Sequence, residues 1–303
     1  MRDSSSPGSS LHFGLPFPLA ARYNRLMSSA PPTPLSERRW VQSLANITVA
    51  LGDWWLFAFR TWSGIVRREF TRREVLRISV EVGSNSVGVI AITGLFIGMV
   101  LAVQAYSQFH TIGLETSLGA VIQMSVFREL GPVLAAVMLS GRVGSAMAAE
   151  LATMRVTEQI DALACLGVDP VKFLSGPRFL ACVFLLPLLT VVADVMGLVG
   201  SSLICLHVYN IDSYHYWQHA RAFVKPWDIL VGLGKALVFG GTLSLIACHR
   251  GFNSRPGAEG VGRAATEAFV ISFVAILMID FVLAMLTNTV YALLWPPVSA
   301  RVA

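Results

Sequence analysis

The chain has 303 residues, of which 54% are hydrophobic and 14% charged, against about a quarter charged in an ordinary soluble domain. That balance, with apolar runs long enough to cross a bilayer, excludes an ordinary soluble enzyme and predicts an all-α membrane protein. A net charge of +5 could suggest nucleic acid, but the arginines flank apolar runs without an interleaved aromatic-basic stripe, so they read as topology signals and no nucleic-acid partner is expected.

Residues 1–37 are rich in Ser, Pro and Gly, with Pro31, Pro32 and Pro34 in close succession. They lack a compact apolar region followed by a cleavage site, so a disordered, retained cytoplasmic tail is expected. Residues 38–78 follow as an amphipathic stretch and a basic linker. Trp40, Leu44, Ile47, Leu51, Trp54, Trp55, Phe59, Trp62, Ile65 and Val66 recur at mostly helical spacing, interrupted by Asp53, Arg60 and Arg67. This pattern suits a helix lying in the membrane interface, with a weak first crossing as the alternative.

Five stronger spans come next, at about Val87 to Tyr106, Pro132 to Met154, Phe179 to Val208, Ile229 to Cys248 and Ala265 to Leu294. Arg60, Arg67, Arg68, Arg72, Arg73 and Arg77 precede the first span, whereas residues 107–127 contain no Lys or Arg. The positive-inside rule then places the N-terminus in the cytoplasm. Counting crossings makes 155–178 and 249–263 cytoplasmic, and 209–228 and the tail 296–303 external. Leu118 to Leu130 is too short to cross and is expected to form a separate external or re-entrant segment, broken by Gly131-Pro132.

Gly94 and Gly98 form a GxxxG pair in the first span, and Gly141, Gly144, Ser145, Ala148 and Ala149 follow in the second. Such small faces permit close helix packing in lipid. Arg142, Asp194, Lys235 and Asp280 lie inside spans, with Arg128, Glu129 and Glu150 at or near span ends. A lone charge at mid-bilayer costs at least ~2.5 kcal/mol on insertion scales. These side chains must therefore face one another, a polar cavity or water. Lys235 paired with Asp194 or Asp280 is one arrangement, and a polar cavity for Arg128 and Glu129 is another.

The sequence contains no GxxxxGK[ST], GxGxxG, HExxH or GxSxG, so no catalytic residue or nucleotide site is assigned. Cys165, Cys182, Cys205 and Cys248 show no CxxC spacing and read as small buried residues rather than metal ligands.

Residues 126–163, VFRELGPVLAAVMLSGRVGSAMAAELATMRVTEQIDAL, resemble the signature of the MlaE permease family, membrane subunits of phospholipid-handling ABC transporters. The blocks VDPVKFLSGPRF at 168–179 and GAEGVGRAAT at 257–266, with Asp280-Phe281-Val282-Leu283 beyond, are similar to the family pattern as well. The resemblance spans about Gly83 to Leu294 and implies an interfacial helix plus about five transmembrane helices, with the permease domain at 79–295. It also implies a homodimer in the bacterial inner membrane, a cytoplasmic ABC ATPase that binds ATP and Mg, a periplasmic MCE-domain protein and in some cases a STAS-domain subunit. The expected activity is movement of phospholipid in support of outer-membrane lipid asymmetry.

The resemblance assigns Thr157, Glu158, Gln159, Asp161 and Leu163, in the loop near 155–168, to a coupling helix. Glu158 and Asp161 are expected to share one face of it, while Ile160 and Leu163 share another that buries against the ATPase. A lipid cavity is placed, by approximate position, around Leu95, Met99, Val103, Gln104, Arg128, Glu129 and Leu286. The competing reading is an ion- or proton-coupled secondary transporter using Asp194, Lys235 and Asp280 as a relay.

Overall fold

The computed structural model describes residues 35–67, 72–111, 113 and 117–294. The expected tail lies outside them except for its last three residues, which already belong to α1 (Leu35–Arg67). The remaining helices are α2 (Arg72–Thr111), α3 (Leu118–Val156), α4 (Gln159–Cys165), α5 (Pro170–Val208), α6 (Ser213–Phe223), α7 (Pro226–Phe252) and α8 (Ala258–Leu294). No strand occurs among the described residues. Residues up to Trp55 form one compact unit and those from Leu56 onward a second. In the first, the rings of Trp54 and Trp55 lie 6.2 Å apart.

Within the second unit, α1 presents two faces. Phe57 and Thr61, one turn apart, are buried, and the Phe57 ring meets His249 and Phe252 at the end of α7. Phe59, Trp62 and Val66 point outward together with Arg60. The expected basic linker is partly helical: Arg72, Arg73 and Arg77 occupy the first turns of α2. Arg, Glu and Leu there are good helix formers, and their propensity extends the apolar helix toward its N-terminus.

Five helices are long and apolar enough to cross a membrane: Ser86–Thr111, Leu118–Val156, Pro170–Val208, Pro226–Phe252 and Ala258–Leu293. All five expected spans are present, but α3 differs from expectation. Leu118 to Leu130 is not a separate segment, because the helix runs through Gly131-Pro132 without a break. Pro132 has no N–H to give the carbonyl four residues earlier. The chain absorbs this by widening into a π turn over Val126–Leu130, closed by the Gly131 N–H bonding to the Val126 carbonyl. Two further π turns lie at Ser140–Gly144 and at Ile204–Val208, which ends α5.

The bundle is organised around α5 and α7. In its most apolar stretch α7 is 56% buried, against 11% for α8. The first is thus a core helix, and the second turns most of its flank outward. The main core joins α3, α5 and α7 through Leu139, Leu151, Leu186, Leu189, Phe239 and Leu243. A smaller cluster at the opposite end seats α6, whose Tyr216 is fully buried against Leu118 and Ile122 of α3.

α2 lies along α5 with the GxxxG face turned inward. A Cβ added at Gly98 would fall 2.0 Å from the Gly197 carbonyl oxygen, and one at Gly200 would fall 2.2 Å from that of Leu95. Backbone is in contact with backbone, which is the packing that small residues in lipid permit. Gly98→Leu is therefore expected to cost about 3 kcal/mol or more, read as loss of the monodisperse detergent-solubilised species. Gly234→Ala, where no atom lies within 4 Å, should leave that species unchanged.

Candidate functional site

The charged residues singled out within the spans do not share one fate. Lys235 of α7 is almost completely enclosed, its side chain 1% exposed. Its ammonium donates to Glu129 of α3 at 2.5 Å and to Asp280 of α8 at 2.9 Å. Three helices are thereby tied at one atom. Burying an ammonium is tolerable only when acceptors replace its water, and two carboxylates do so here.

Two turns of α7 away toward its N-terminus, Arg128 forms a second node. Its Nε lies 3.4 Å from Asp228 Oδ1, and an Nη donates to the side-chain Oδ1 of Asn288 at 3.1 Å. Asp228 is 4% exposed, and its other oxygen caps α7 by accepting from the Lys225 N–H at 2.9 Å. Sequence reasoning missed Asp228 and Asn288. The available signal was an acid at the third helical position after Lys225-Pro226, where an N-terminal cap is expected.

The π turn places these nodes. It includes both Arg128 and Glu129, and the extra residue per turn changes which flank each presents. Arg128 reaches the start of α7 while Glu129 reaches its middle. Asp194 of α5 stands apart. It is 6% exposed, its Oδ1 has no hydrogen-bond partner, and it lies so close to the Gly131 Cα that a Cβ there would meet it at 1.8 Å. Of the two arrangements expected for Lys235, the pairing with Asp280 forms and the pairing with Asp194 does not. The three-residue relay is thus not assembled. Arg142 is exposed on the flank of α3.

The expected cavity residues are only partly gathered. Arg128 and Glu129 join the two nodes, and Leu286 on α8, 55% exposed, lies between Asp280 and Asn288 in sequence. Leu95, Met99, Val103 and Gln104 belong to α2, which packs on α5 and the first half of α3, whereas α8 packs on α7 and the second half of α3. Val103 and Gln104 are exposed.

At the other end, α4 is a short helix after a tight turn. Glu158 precedes the helix in the left-handed region at φ 58°. It therefore does not share a helical face with Asp161, as the spacing had suggested. The apolar assignment changes too. Ile160 is 4% exposed and Leu163 packs against the same core, so both anchor α4 to its own bundle rather than to a partner. A seven-residue helix cannot stand without tertiary support, and these two side chains provide it. The outward surface carries Thr157, Glu158, Gln159, Asp161 and Cys165, and Leu166 is 78% exposed. Asp161 also meets Arg155 at 3.4 Å. Nearby, the buried Arg178 bonds Glu150 at 2.9 Å and the Leu174 carbonyl at 2.8 Å.

Of the four cysteines, Cys165 is exposed and the other three are buried, so the expectation of small buried residues fails at Cys165. No group of three or more His, Cys, Asp or Glu able to hold a metal occurs among the described residues.

The Lys235 node makes a specific demand on stability. Lys235→Met leaves Glu129 and Asp280 facing each other without a cation and is expected to cost about 3 kcal/mol, measured by denaturant titration in detergent. Adding Glu129→Gln and Asp280→Asn should recover most of that loss, because the triple variant buries no unpaired charge.

Residues 75–286 match the family described as Permease MlaE. A probable ABC transporter permease protein of Rickettsia felis is 41% identical over 77% of this chain and 90% of its own length. The intermembrane phospholipid transport system permease protein MlaE of Haemophilus influenzae is 38% identical over 66% of this chain and 77% of its own. Protein TRIGALACTOSYLDIACYLGLYCEROL 1, chloroplastic, of Arabidopsis thaliana is 39% identical over 72% and 63% respectively. With five apolar helices of spanning length and a match over residues 75–286, this chain belongs to the MlaE permease family of ABC transporters.

Proposed function

We propose that this chain is the inner-membrane permease subunit that moves phospholipid between the bilayer and a periplasmic MCE-domain partner, in support of outer-membrane lipid asymmetry. It works as a homodimer on two copies of a cytoplasmic ABC ATPase, with a STAS-domain subunit as a further candidate partner. ATP and Mg belong to the ATPase. The observation that carries the reading is the placement of Arg128. A guanidinium held by Asp228 and Asn288, with the exposed Leu286 two residues before Asn288 on the same helix, suits a phosphodiester with two acyl chains, because the planar fork matches phosphate oxygens.

In this reading Leu95, Met99, Val103 and Gln104 of one protomer complete a cavity with Arg128, Glu129 and Leu286, and a second copy closes it. In a single protomer α2 packs chiefly on α5 and α8 chiefly on α7, with Gly131–Leu139 of α3 touched by both, and in this reading a second copy completes the shared lipid site. The loop bearing α4 faces the cytoplasm, the N-terminus lies on the same side, and the C-terminus lies in the periplasm. Thr157, Glu158, Gln159 and Asp161 form the rim of the ATPase contact, and Leu166 supplies the apolar knob in place of Leu163. Closure of the ATPase pair pushes on α4, whose Ile160 and Leu163 are embedded in the core, and the bundle narrows around the lipid. Nucleotide favours the narrowed state through the partner alone, as a population shift requires.

Two outcomes are expected. Glu158→Lys with Asp161→Lys, or Leu166→Asp alone, should abolish co-purification of the ATPase while the permease remains inserted; retained co-purification in both would remove the coupling role. Cys165 is a native reporter of sidedness, since the other three cysteines are buried. A membrane-impermeant maleimide should leave it unlabelled in intact cells and label it in inside-out vesicles.

A further inference from the structure

α7 and α8 are antiparallel, and their seam carries polar side chains at matched depths. Lys235 meets Asp280 at 2.9 Å. Nearer the start of α7, Asp228 and Asn288 meet through Arg128. At the rim, Lys225 Nζ donates to the Tyr291 hydroxyl at 2.8 Å and lies 5.4 Å from the centre of its ring. From Lys225 to Lys235 these rungs cover about 15 Å of helix rise. The two deeper rungs close on carboxylates, whereas the rim does not.

The rim rung opens on a cavity of about 370 Å³ lined by Lys225, Pro226, Trp227, Leu230 and Tyr291. Lys225 is exposed, and Leu230, on the span below it, is 66% exposed. Asp228, the acid one turn away, is committed inward to Arg128 and to the helix cap. No carboxylate lies within ion-pair distance of the Lys225 ammonium among the described residues, and the phenol beside it raises its pKa above the ordinary lysine value. One neutral acceptor leaves two of the three ammonium N–H groups for a ligand. A cation with Trp and Tyr at the end of an apolar span is the composition of a headgroup-depth site.

We propose that this rim cavity is a second lipid site, binding the phosphodiester of one glycerophospholipid on Lys225, with an acyl chain along Trp227 and Leu230, one helical turn outside Arg128. The occupant is a lipid rather than free phosphate because the wall below the ammonium is apolar and continues into the span. The site goes beyond the transport reading, requiring only that α7 and α8 cross the bilayer, and it provides a halt for a headgroup between bilayer and Arg128.

The test uses the full chain, stripped of lipid in detergent and titrated with dioleoyl phosphatidylglycerol, with bound lipid counted per protomer by native mass spectrometry. Lys225→Gln should weaken one bound lipid about tenfold, as expected for loss of a charge-assisted contact, and Lys225→Arg should retain it. Leu230→Trp, which keeps the charge and fills the wall, should displace the same lipid. The pair Arg128→Leu with Asp228→Asn removes only the deeper lipid, so failure of the Arg128 cavity and failure of the rim site give different stoichiometries. Binding unchanged in both Lys225→Gln and Leu230→Trp overturns the proposal. So does displacement by glycerol phosphate at the concentration at which the intact lipid competes, which would make the cavity a bare anion site.

Discussion

A single buried ammonium sets the terms for this bundle. Lys235 sits in the core helix with about 1% of its side chain exposed, and it is neutralised only by carboxylates on two other helices. Hydrocarbon offers no water to replace a missing partner, so the three helices must come together in one register or leave a charge uncompensated. Apolar packing between lipid-facing helices is far less selective, since sliding one Leu-rich face along another changes little. The ion contacts therefore define the register of α3, α7 and α8, and the glycine contacts define that of α2 and α5.

The π turn in α3 connects this constraint to the site. Pro132 cannot complete the normal helical hydrogen bond, and the widened turn preceding it rotates two consecutive charged residues toward different targets. One result is an internal cross-link at Glu129. The other is a guanidinium at Arg128 held near the rim. A backbone irregularity inside a span is affordable where the freed groups find new partners, as the Gly131 N–H does at Val126. The widened turn and both charged nodes coincide at the motif that also carries the family likeness.

The opposite end follows a different logic. α4 is held by Ile160 and Leu163 from within, leaving its polar flank and Leu166 outward. Packed side chains, and not the loop alone, thereby tie this short helix to α3 and α5. The permease thus has a core-anchored short helix at one end and a polar seam at the other, joined by a core of close-packed leucines.

Hydrophobic run length and composition determined from sequence alone that the chain is helical and crosses a membrane, and all five spans were legible because each apolar stretch is long enough by itself. The motif VFRELGPV and its continuation carried the family. Close approach at Gly94 and Gly98 was readable too, since small residues four apart have few other uses in lipid. What only the tertiary structure decided was direction: which carboxylate Lys235 would choose, that Asp228 and Asn288 would hold Arg128, and that Ile160 and Leu163 face inward while Leu166 faces out. Sequence spacing reports which residues share a helix face, but the partner of a charge depends on helices brought together from distant parts of the chain. The break expected at Gly131-Pro132 failed for the same reason, because a proline ends a helix only when nothing around it rewards continuing.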